Sequence, residues 1–263
     1  QLGGAVDLSE RVVMTVRAPQ PLYWRALVFD EYTGRGWVNN DGSELELEPN
    51  SDSPPPMPYE ARQPVSQAVR VMRMGEQVVF AANQVDEVDV ATNARLSLLP
   101  AVVEGSGEGD QGSAAEISIL AARTRFRRDD VYNAVSQVST APKSALRDAG
   151  TEYPEWVTDR YLQLPEALPE RIEELAADLA GPYDKQFDKA NAIELYLRDI
   201  DYNEAIQAPP LGVDVVDWFL FDLREGYCDY YSTAMVVLLR SQGIPARVAV
   251  GVEASGTSVT ASL

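Results

Sequence analysis

The period of the hydrophobic pattern changes along this chain, and that change limits the folds it can adopt. From about residue 5 to about residue 125 the sequence has short β-prone runs, at 11–17, 23–30, 77–82, 87–90, 95–99 and 115–122. Glycines at 34 and 36, a Ser/Pro-rich stretch at 50–58 and a Gly-rich acidic stretch at 104–113 mark turns and loops between them. This pattern predicts a sandwich-like or barrel-like β domain.

Further along, the pattern becomes helical. Apolar residues at 168, 172, 175, 176 and 179 share one helical face, and so do those at 187, 190, 193, 197 and 200. A short helical turn is predicted at 214–221, a third long helix at 228–242 with Gly243 at its C′ position, and a buried strand at 245–252. Residues 129–139 fit either a strand or a short helix. The predicted class is α+β, with a β-rich domain at 1–150 and a second domain at 151–263.

Charge and composition argue against several functions. The chain has 41 acidic and 22 basic residues, a net charge of -19, which opposes binding to nucleic acid or to an anionic membrane and favours a solvated monomer. It has no apolar run of about 18 residues that would span a membrane, and residues 1–10 do not resemble a secretion signal. With one cysteine and no histidine, neither an internal disulfide nor a zinc site is predicted, and no cofactor is expected.

The one cysteine, Cys228, stands where a loop meets a strongly apolar helix. Peptide dipoles and free N–H groups at a helix start favour the thiolate, as a catalytic nucleophile requires. Such a nucleophile needs a base, normally an imidazole held by a third polar group, so this chain carries at most part of the site. Asp229 follows directly, and its carboxylate favours the neutral thiol unless it caps N–H groups or faces solvent. With an unperturbed pKa of about 8.5, the thiol is expected to stay largely protonated at neutral pH.

The segment around Cys228 resembles the nucleophile segment of the transglutaminase-like superfamily. The resemblance rests on Gly226-Tyr-Cys228, the apolar helix that follows, Arg240, and the turn Gly243-Ile-Pro-Ala-Arg247. Upstream, the residues at 164–172 and 193–200 and Tyr202 resemble the helical lead-in of bacterial membrane-anchored members. Segments 7–13 and 23–37 resemble the extracytoplasmic β domain that precedes the core in that group.

This resemblance implies a papain-like core, here a helical lobe with an incomplete antiparallel sheet. It also implies a Cys-His-Asp triad, of which only Cys228 is in the sequence, because no His-Ala-Trp strand follows Gly251. We therefore expect a segment truncated before its catalytic histidine and aspartate. Its parent protein is expected to be anchored by helices outside these residues, with this segment on the extracytoplasmic face of a bacterial cytoplasmic membrane.

The chemistry implied is formation of a thioester at Cys228 with a glutamine or other amide carbonyl of a protein or peptide, followed by transfer to an amine. The backbone N–H of Cys228 is the expected first oxyanion donor. Tyr202, or alternatively Trp218, is the candidate for the second. Two alternatives remain open: a cysteine peptidase or amidase using the same thioester route, and a catalytically inactive envelope scaffold. The chain by itself is expected to be inactive.

Several other residues have a structural as well as a functional interpretation. Arg240 and Arg247 could bind a substrate carboxylate, but capping a helix end or pairing with Asp222 or Glu225 is the expected role.

Three acidic residues and an aromatic segment also have both a structural and a functional interpretation. Asp214, Asp217 and Asp222 lack the alternating ligand spacing of a calcium loop, so a solvated surface is predicted. The aromatic segment at 23–37 could be a binding surface, but aromatic residues that alternate between turns predict a place in the core of the β domain.

Overall fold

The structure, a computed structural model, describes residues 2–6, 12–40, 42–51, 60–98 and 115–253. Strands dominate up to residue 139, and they are β1 (Met14–Arg17), β2 (Tyr23–Phe29), β3 (Glu31–Tyr32), β4 (Trp37–Val38), β5 (Ser43–Leu47), β6 (Arg62–Val71), β7 (Ala81–Ala82), β8 (Val85–Val88), β9 (Thr92–Leu98), β10 (Ala115–Ala122) and β11 (Val131–Ser139). The strand alternative for residues 129–139 is therefore the right one. The loop predicted at 104–113 and most of the loop at 50–58 lie outside the described residues.

Helices dominate the rest of the chain. They are α1 (Lys143–Asp148), α2 (Glu155–Tyr161), α3 (Glu170–Ala180), α4 (Gln186–Arg198), α5 (Val215–Asp217), a π-helix (Trp218–Leu223) and α6 (Cys228–Ser241), with strands β12 (Asp201–Tyr202), β13 (Glu225–Gly226) and β14 (Val248–Glu253) between and after them. The predicted α+β class with a β-rich amino-terminal half is confirmed. Among the helices of the described residues, none has the length and apolar character needed to cross a membrane.

The chain packs into two compact units, and each draws on three chain segments. The helical unit contains Gln1–Leu8, Phe29–Asn39 and Pro142–Val248, and the β unit contains Ser9–Val28, Asn40–Ala141 and Ala249–Leu263. The main crossing between them, at residues 141–142, lies near the domain boundary proposed at residue 150, which stays a prediction. The sequence period does not indicate that Phe29–Asn39 packs with the helices.

The β unit is built from two sheets. One has the strand order β1-β6-β11-β8, and the other has the order β14-β2-β10-β9-β5 with β7 also paired to β2. Side chains alternate across β6, where Val65, Val69 and Val71 are buried, because successive residues of a strand point to opposite faces. One buried cluster includes Val69 from the first sheet and Trp24 and Leu96 from the second.

The strand that follows α6 was expected to belong to an incomplete sheet of the core. Instead, β14 pairs with β2 in the second sheet of the β unit. A Cβ added at Gly251 would lie 2.1 Å from the carbonyl oxygen of Trp24, so the two backbones approach more closely than a side chain there would permit. The backbone N–H and C=O groups of a strand need hydrogen-bond partners, and β2 supplies them for β14.

The helical unit packs around α6. Helices α3 and α4 bury the apolar faces that their spacing predicts, through Ile172 and Ala176 in α3 and Ile193 and Leu197 in α4. These residues share one cluster with Val237 and the other apolar side chains of α6. The two amphipathic helices predicted from the sequence are confirmed.

The hairpin of β3 and β4 also belongs to this unit. Tyr32 is fully buried and its ring centroid lies 5.3 Å from that of Trp37. The indole nitrogen of Trp37 donates to the hydroxyl of Thr233 in α6 at 3.0 Å. The prediction that all the aromatic residues at 23–37 lie in the β-domain core is therefore right for Trp24 and wrong for Tyr32 and Trp37, because the hairpin finds its apolar partners among the helices.

Candidate active site

Cys228 is the first residue of α6, and its side chain is exposed. Tyr227 precedes it in extended conformation as the N-cap residue. A Cβ added at Gly226 would lie 2.9 Å from the ring of Phe219 and 3.2 Å from the Cβ of Tyr230, so only glycine fits this approach to the helix. The structure thus places the thiol where the sequence predicts it, at the start of a 14-residue helix.

The helix end confirms a second local prediction. Gly243 has a φ of +70°, and its N–H donates to the carbonyl of Arg240 at 3.0 Å. The N–H of Ile244 donates to the carbonyl of Leu239, also at 3.0 Å. These two bonds form a Schellman motif, which ends the helix at the glycine.

Asp229 faces the thiol, which answers the question that the sequence left open. The Sγ of Cys228 donates to Oδ1 of Asp229 at 3.6 Å. The pKa of the thiol is raised to about 11. The largest cause is desolvation by neighbouring protein atoms, even though the residue is exposed, and the next causes are the charge and the hydrogen bond of Asp229. The backbone N–H groups of Cys228 and Asp229 act in the opposite direction and lower it. The thiol is therefore protonated at neutral pH.

Tyr202 lies beside the residues that lead into Cys228. Strands β12 and β13 pair in parallel, with Tyr202 opposite Gly226, and the N–H of Asn203 donates to the Gly226 carbonyl at 2.8 Å. The hydroxyl of Tyr202 donates to Oε1 of Glu204 at 3.1 Å. The pKa of Tyr202 is raised to about 12, first by desolvation, then by the hydrogen bond to Glu204 and by the charge of the Cys228 thiolate.

Trp218, the other candidate oxyanion donor, occupies a different environment. It begins the π-helix, it is buried, and its ring lies 6.2 Å from the ring of Tyr230 within the core of the helical unit. Tyr202, in contrast, is 58% exposed and pairs with Gly226, two residues before Cys228. This placement favours Tyr202, and both roles stay predictions.

The sequence missed the π-helix and the tyrosine cluster around Cys228. A short helical turn was predicted at 214–221, where the structure has α5 and the start of the π-helix. The π-helix is capped by Arg224, whose φ is +58° and whose N–H donates to the Phe219 carbonyl at 3.0 Å. The tyrosine cluster is formed by Tyr227, Tyr230 and Tyr231, with the rings of the first two 5.2 Å apart at 89°. The Tyr-x-x-Tyr-Tyr spacing around Cys228 was the available signal, because residues three and four apart share a helix face.

Arg240 has the structural role that was expected, with different partners. Its guanidinium is buried and donates to the carbonyls of Ala246 at 2.8 Å, Gln163 at 2.7 Å and Asp30 at 2.7 Å, rather than to Asp222 or Glu225. Burial lowers its pKa to about 10. Arg247 likewise donates to the hydroxyl of Tyr161 at 2.9 Å.

Of the three aspartates predicted to form a solvated surface, only Asp222, which lies within the π-helix, is exposed. Asp214 is the N-cap of α5 and accepts the N–H groups of Val216 at 2.9 Å and Asp217 at 3.1 Å. Asp217 is buried and pairs with Arg171, which also contacts Asp222 at 3.2 Å. The prediction is wrong for Asp214 and Asp217 because both carboxylates are used within the fold.

Two protein-family models match most of this chain. Residues 173–262 match the transglutaminase-like superfamily, and residues 1–128 match the TgpA N-terminal domain. The chain combines a TgpA N-terminal domain with a transglutaminase-like core domain. The transglutaminase-like match contains Cys228, Tyr202 and the turn after α6.

Two bacterial proteins are similar to this chain over nearly its whole length. One is a Bacillus subtilis protein called uncharacterized protein YebA, 32% identical over 94% of this chain and 33% of its own length. The other is a protein-glutamine gamma-glutamyltransferase of Pseudomonas aeruginosa, 28% identical over 95% of this chain and 33% of its own length. The chain therefore spans about a third of the length of these relatives.

Solved structures show the same fold. The crystal structure of the periplasmic domain of TgpA from Pseudomonas aeruginosa has a TM-score of 0.61 and 21% identity, and it covers 100% of this chain and 86% of that chain. The ethylmercury-bound form has the same TM-score and covers 97% and 82%. The expected fold, a β-rich amino-terminal half followed by a transglutaminase-like core, is confirmed.

Proposed function

We propose that this chain is the extracytoplasmic segment of a transglutaminase-like cysteine acyltransferase. In this proposal Cys228 forms a thioester with a glutamine or other amide carbonyl of a protein or peptide and passes the acyl group to an amine. The observation that carries the proposal is an exposed thiol at the first residue of a 14-residue helix, within the residues that match the transglutaminase-like superfamily.

The proposed reaction has two steps, formation of the thioester and its attack by an amine. The Cys228 thiolate attacks the amide carbonyl, a C–S bond forms, the C–N bond breaks, and the nitrogen leaves as ammonia or an amine after taking a proton from a general acid. An amine then attacks the thioester and gives a proton to the base, and the C–S bond breaks to return the thiolate. The backbone N–H of Cys228, which stabilises the thiolate, is the proposed first donor to the carbonyl oxygen, and the hydroxyl of Tyr202 is the second.

The general base is the part of the reaction that these residues do not supply. The 263 residues contain no histidine, so the proposal assigns the imidazole and the aspartate that orients it to parts of the protein outside this chain. The chain by itself is then inactive. The similarity to a periplasmic domain supports an extracytoplasmic location. The proposal also assigns the membrane-anchoring helices to parts of the protein outside this segment, which spans about a third of the length of the two relatives.

Two alternatives differ from this proposal in the outcome that they predict. A cysteine peptidase or amidase uses the same thioester but resolves it with water instead of an amine. A catalytically inactive envelope scaffold keeps the fold without turnover, and the raised pKa of the Cys228 thiol is the observation that favours it.

The test uses the full-length protein with a glutamine-containing peptide and a fluorescent primary amine. We expect the amine to become covalently attached to the peptide, the Cys228→Ser variant to lose this activity and the Asp178→Asn variant to keep it, since Asp178 is exposed on α3. Ammonia release without amine attachment would replace the acyltransferase with the hydrolase. If the folded full-length protein forms neither product, both enzyme assignments are overturned. Turnover by the 263-residue chain alone would contradict the assignment of the base to parts of the protein outside this chain.

A further inference from the structure

Residues 2–6, here called the N-terminal strap, are bound to the helical unit at both ends. The N–H of Leu2 donates to the carbonyl of Arg35 at 3.0 Å, and the N–H of Val6 donates to the carbonyl of Glu204 at 3.0 Å. The side chains of Leu2 and Val6 pack against the buried cluster of that unit. The strap therefore follows a defined path through the unit that carries the nucleophile.

The middle of the strap accepts hydrogen bonds from the first turn of α6. The hydroxyl of Tyr230 donates to the carbonyl of Gly3 at 2.6 Å, and the hydroxyl of Tyr227 lies 3.2 Å from the carbonyl of Gly4. Both tyrosines are at least nine-tenths buried, so their hydroxyls need protein partners, and the strap carbonyls supply them. These two residues flank Cys228 in the sequence, one directly before it and one two residues after it.

The end of the strap contacts the other side of the candidate site. Glu204, whose carbonyl accepts the Val6 N–H, also accepts the hydroxyl of Tyr202 through its carboxylate. One short peptide thus binds both the turn that holds the thiol and the residue that holds the candidate oxyanion donor.

We propose that the N-terminal strap, through Tyr227 and Tyr230, is a positioning element that holds the first turn of α6 and sets the reactivity of Cys228. The inference rests on the proposed function for its biological meaning, while its geometry concerns the thiol alone. The backbone N–H groups of Cys228 and Asp229 lower the pKa of the thiol, and because both belong to the first turn of α6, their alignment depends on that turn. Because Cys228 is already exposed, loosening the turn adds little access and chiefly misaligns these donors.

Two independent variants remove this support. The double variant Tyr227→Phe/Tyr230→Phe keeps both rings and removes both hydroxyls. The variant Gly4→Ala displaces the strap itself, because the added Cβ would lie 3.0 Å from the backbone nitrogen of Ala208. Gly150→Ala is the control, since a Cβ there meets nothing within 4 Å.

The readout is the rate of alkylation of Cys228 by iodoacetamide as a function of pH, in the 263-residue chain, together with its thermal unfolding. We expect both variants to react about threefold more slowly than the parent at neutral pH, with a higher titration midpoint. In folded protein, rates equal to or above that of the parent, or midpoints equal to or below its midpoint, would overturn the proposal, because a purely structural strap would lower stability without moving the midpoint. Gly4→Ala decides the matter if the double variant does not fold. This result needs no substrate, so it is separate from failure of amine incorporation by the full-length protein.

Discussion

Replacing Asp229 with asparagine is expected to make Cys228 more reactive. The carboxylate accepts a hydrogen bond from the neutral thiol and repels the thiolate, and both effects raise the pKa of the thiol. Asparagine keeps the size of the side chain at the second position of α6 and removes its charge. The desolvation that is the largest cause of the raised pKa remains.

The magnitude follows from the thiolate population. With its pKa raised from 9.0 to about 11, about one Cys228 thiol in 10⁴ is ionised at pH 7, against about one in 10² at the ordinary value. Since Asp229 is a smaller cause than desolvation, we expect the Asp229→Asn variant to lower the pKa by about 1 and to raise the thiolate population about tenfold. A less basic thiolate is also a weaker nucleophile, with a Brønsted coefficient of about 0.4–0.5, so the net gain in rate is about threefold.

The assay is alkylation by iodoacetamide between pH 7 and pH 10, which reports Cys228 alone because the chain has one cysteine. The raised pKa favours the protonated thiol, so the rate should climb with pH through this range in both proteins and should climb at lower pH in the Asp229→Asn variant. Asp178→Asn makes the same change in net charge on an exposed position of α3 and should leave the rate unchanged. Equal rates for the parent and the Asp229→Asn variant would refute the role of this carboxylate.

Two further predictions concern stability. Arg240→Met should lower the free energy of unfolding by about 3 kcal/mol or more, because it leaves one buried and two partly buried carbonyls without their charged donor. Arg198→Met, which removes an exposed i,i+4 pair, should cost less than about 0.5 kcal/mol. Chemical denaturation measures both, and similar losses would contradict the structural role of Arg240. Gly226→Ala should cost about 1–3 kcal/mol, because its Cβ would overlap the ring of Phe219, and Gly150→Ala should cost nothing; thermal unfolding that is unchanged in both would show that the chain next to Cys228 is not held this tightly.

Much of the local structure was predictable because short-range rules decide it. The amphipathic faces of α3 and α4, the start of α6 at Cys228 and its end at Gly243 follow from residue spacing, helix-terminus chemistry and the left-handed conformation that glycine accepts. The π-helix was not predictable in this way, because its six residues have no spacing that separates it from an ordinary helical turn.

The pairing of distant segments was not predictable, because hydrophobic period says which face is buried and not against what. The strand after α6 was foreseen, but its partner β2 is more than 200 residues away in the sequence. The hairpin within Phe29–Asn39 has β-prone aromatic residues, yet it packs with helices because Tyr32 and Trp37 find buried partners there.

For the candidate site, the sequence by itself determined which residue is the candidate nucleophile, since Cys228 is the single cysteine and its helix start is a local property. It also determined that the imidazole base is absent from these residues. Only the tertiary structure decided that Asp229 faces the thiol, that Tyr202 lies beside Gly226, and that the N-terminal strap binds the first turn of α6. The reason is physical: the direction of a side chain and the pairing of distant backbone segments depend on packing that no local pattern encodes.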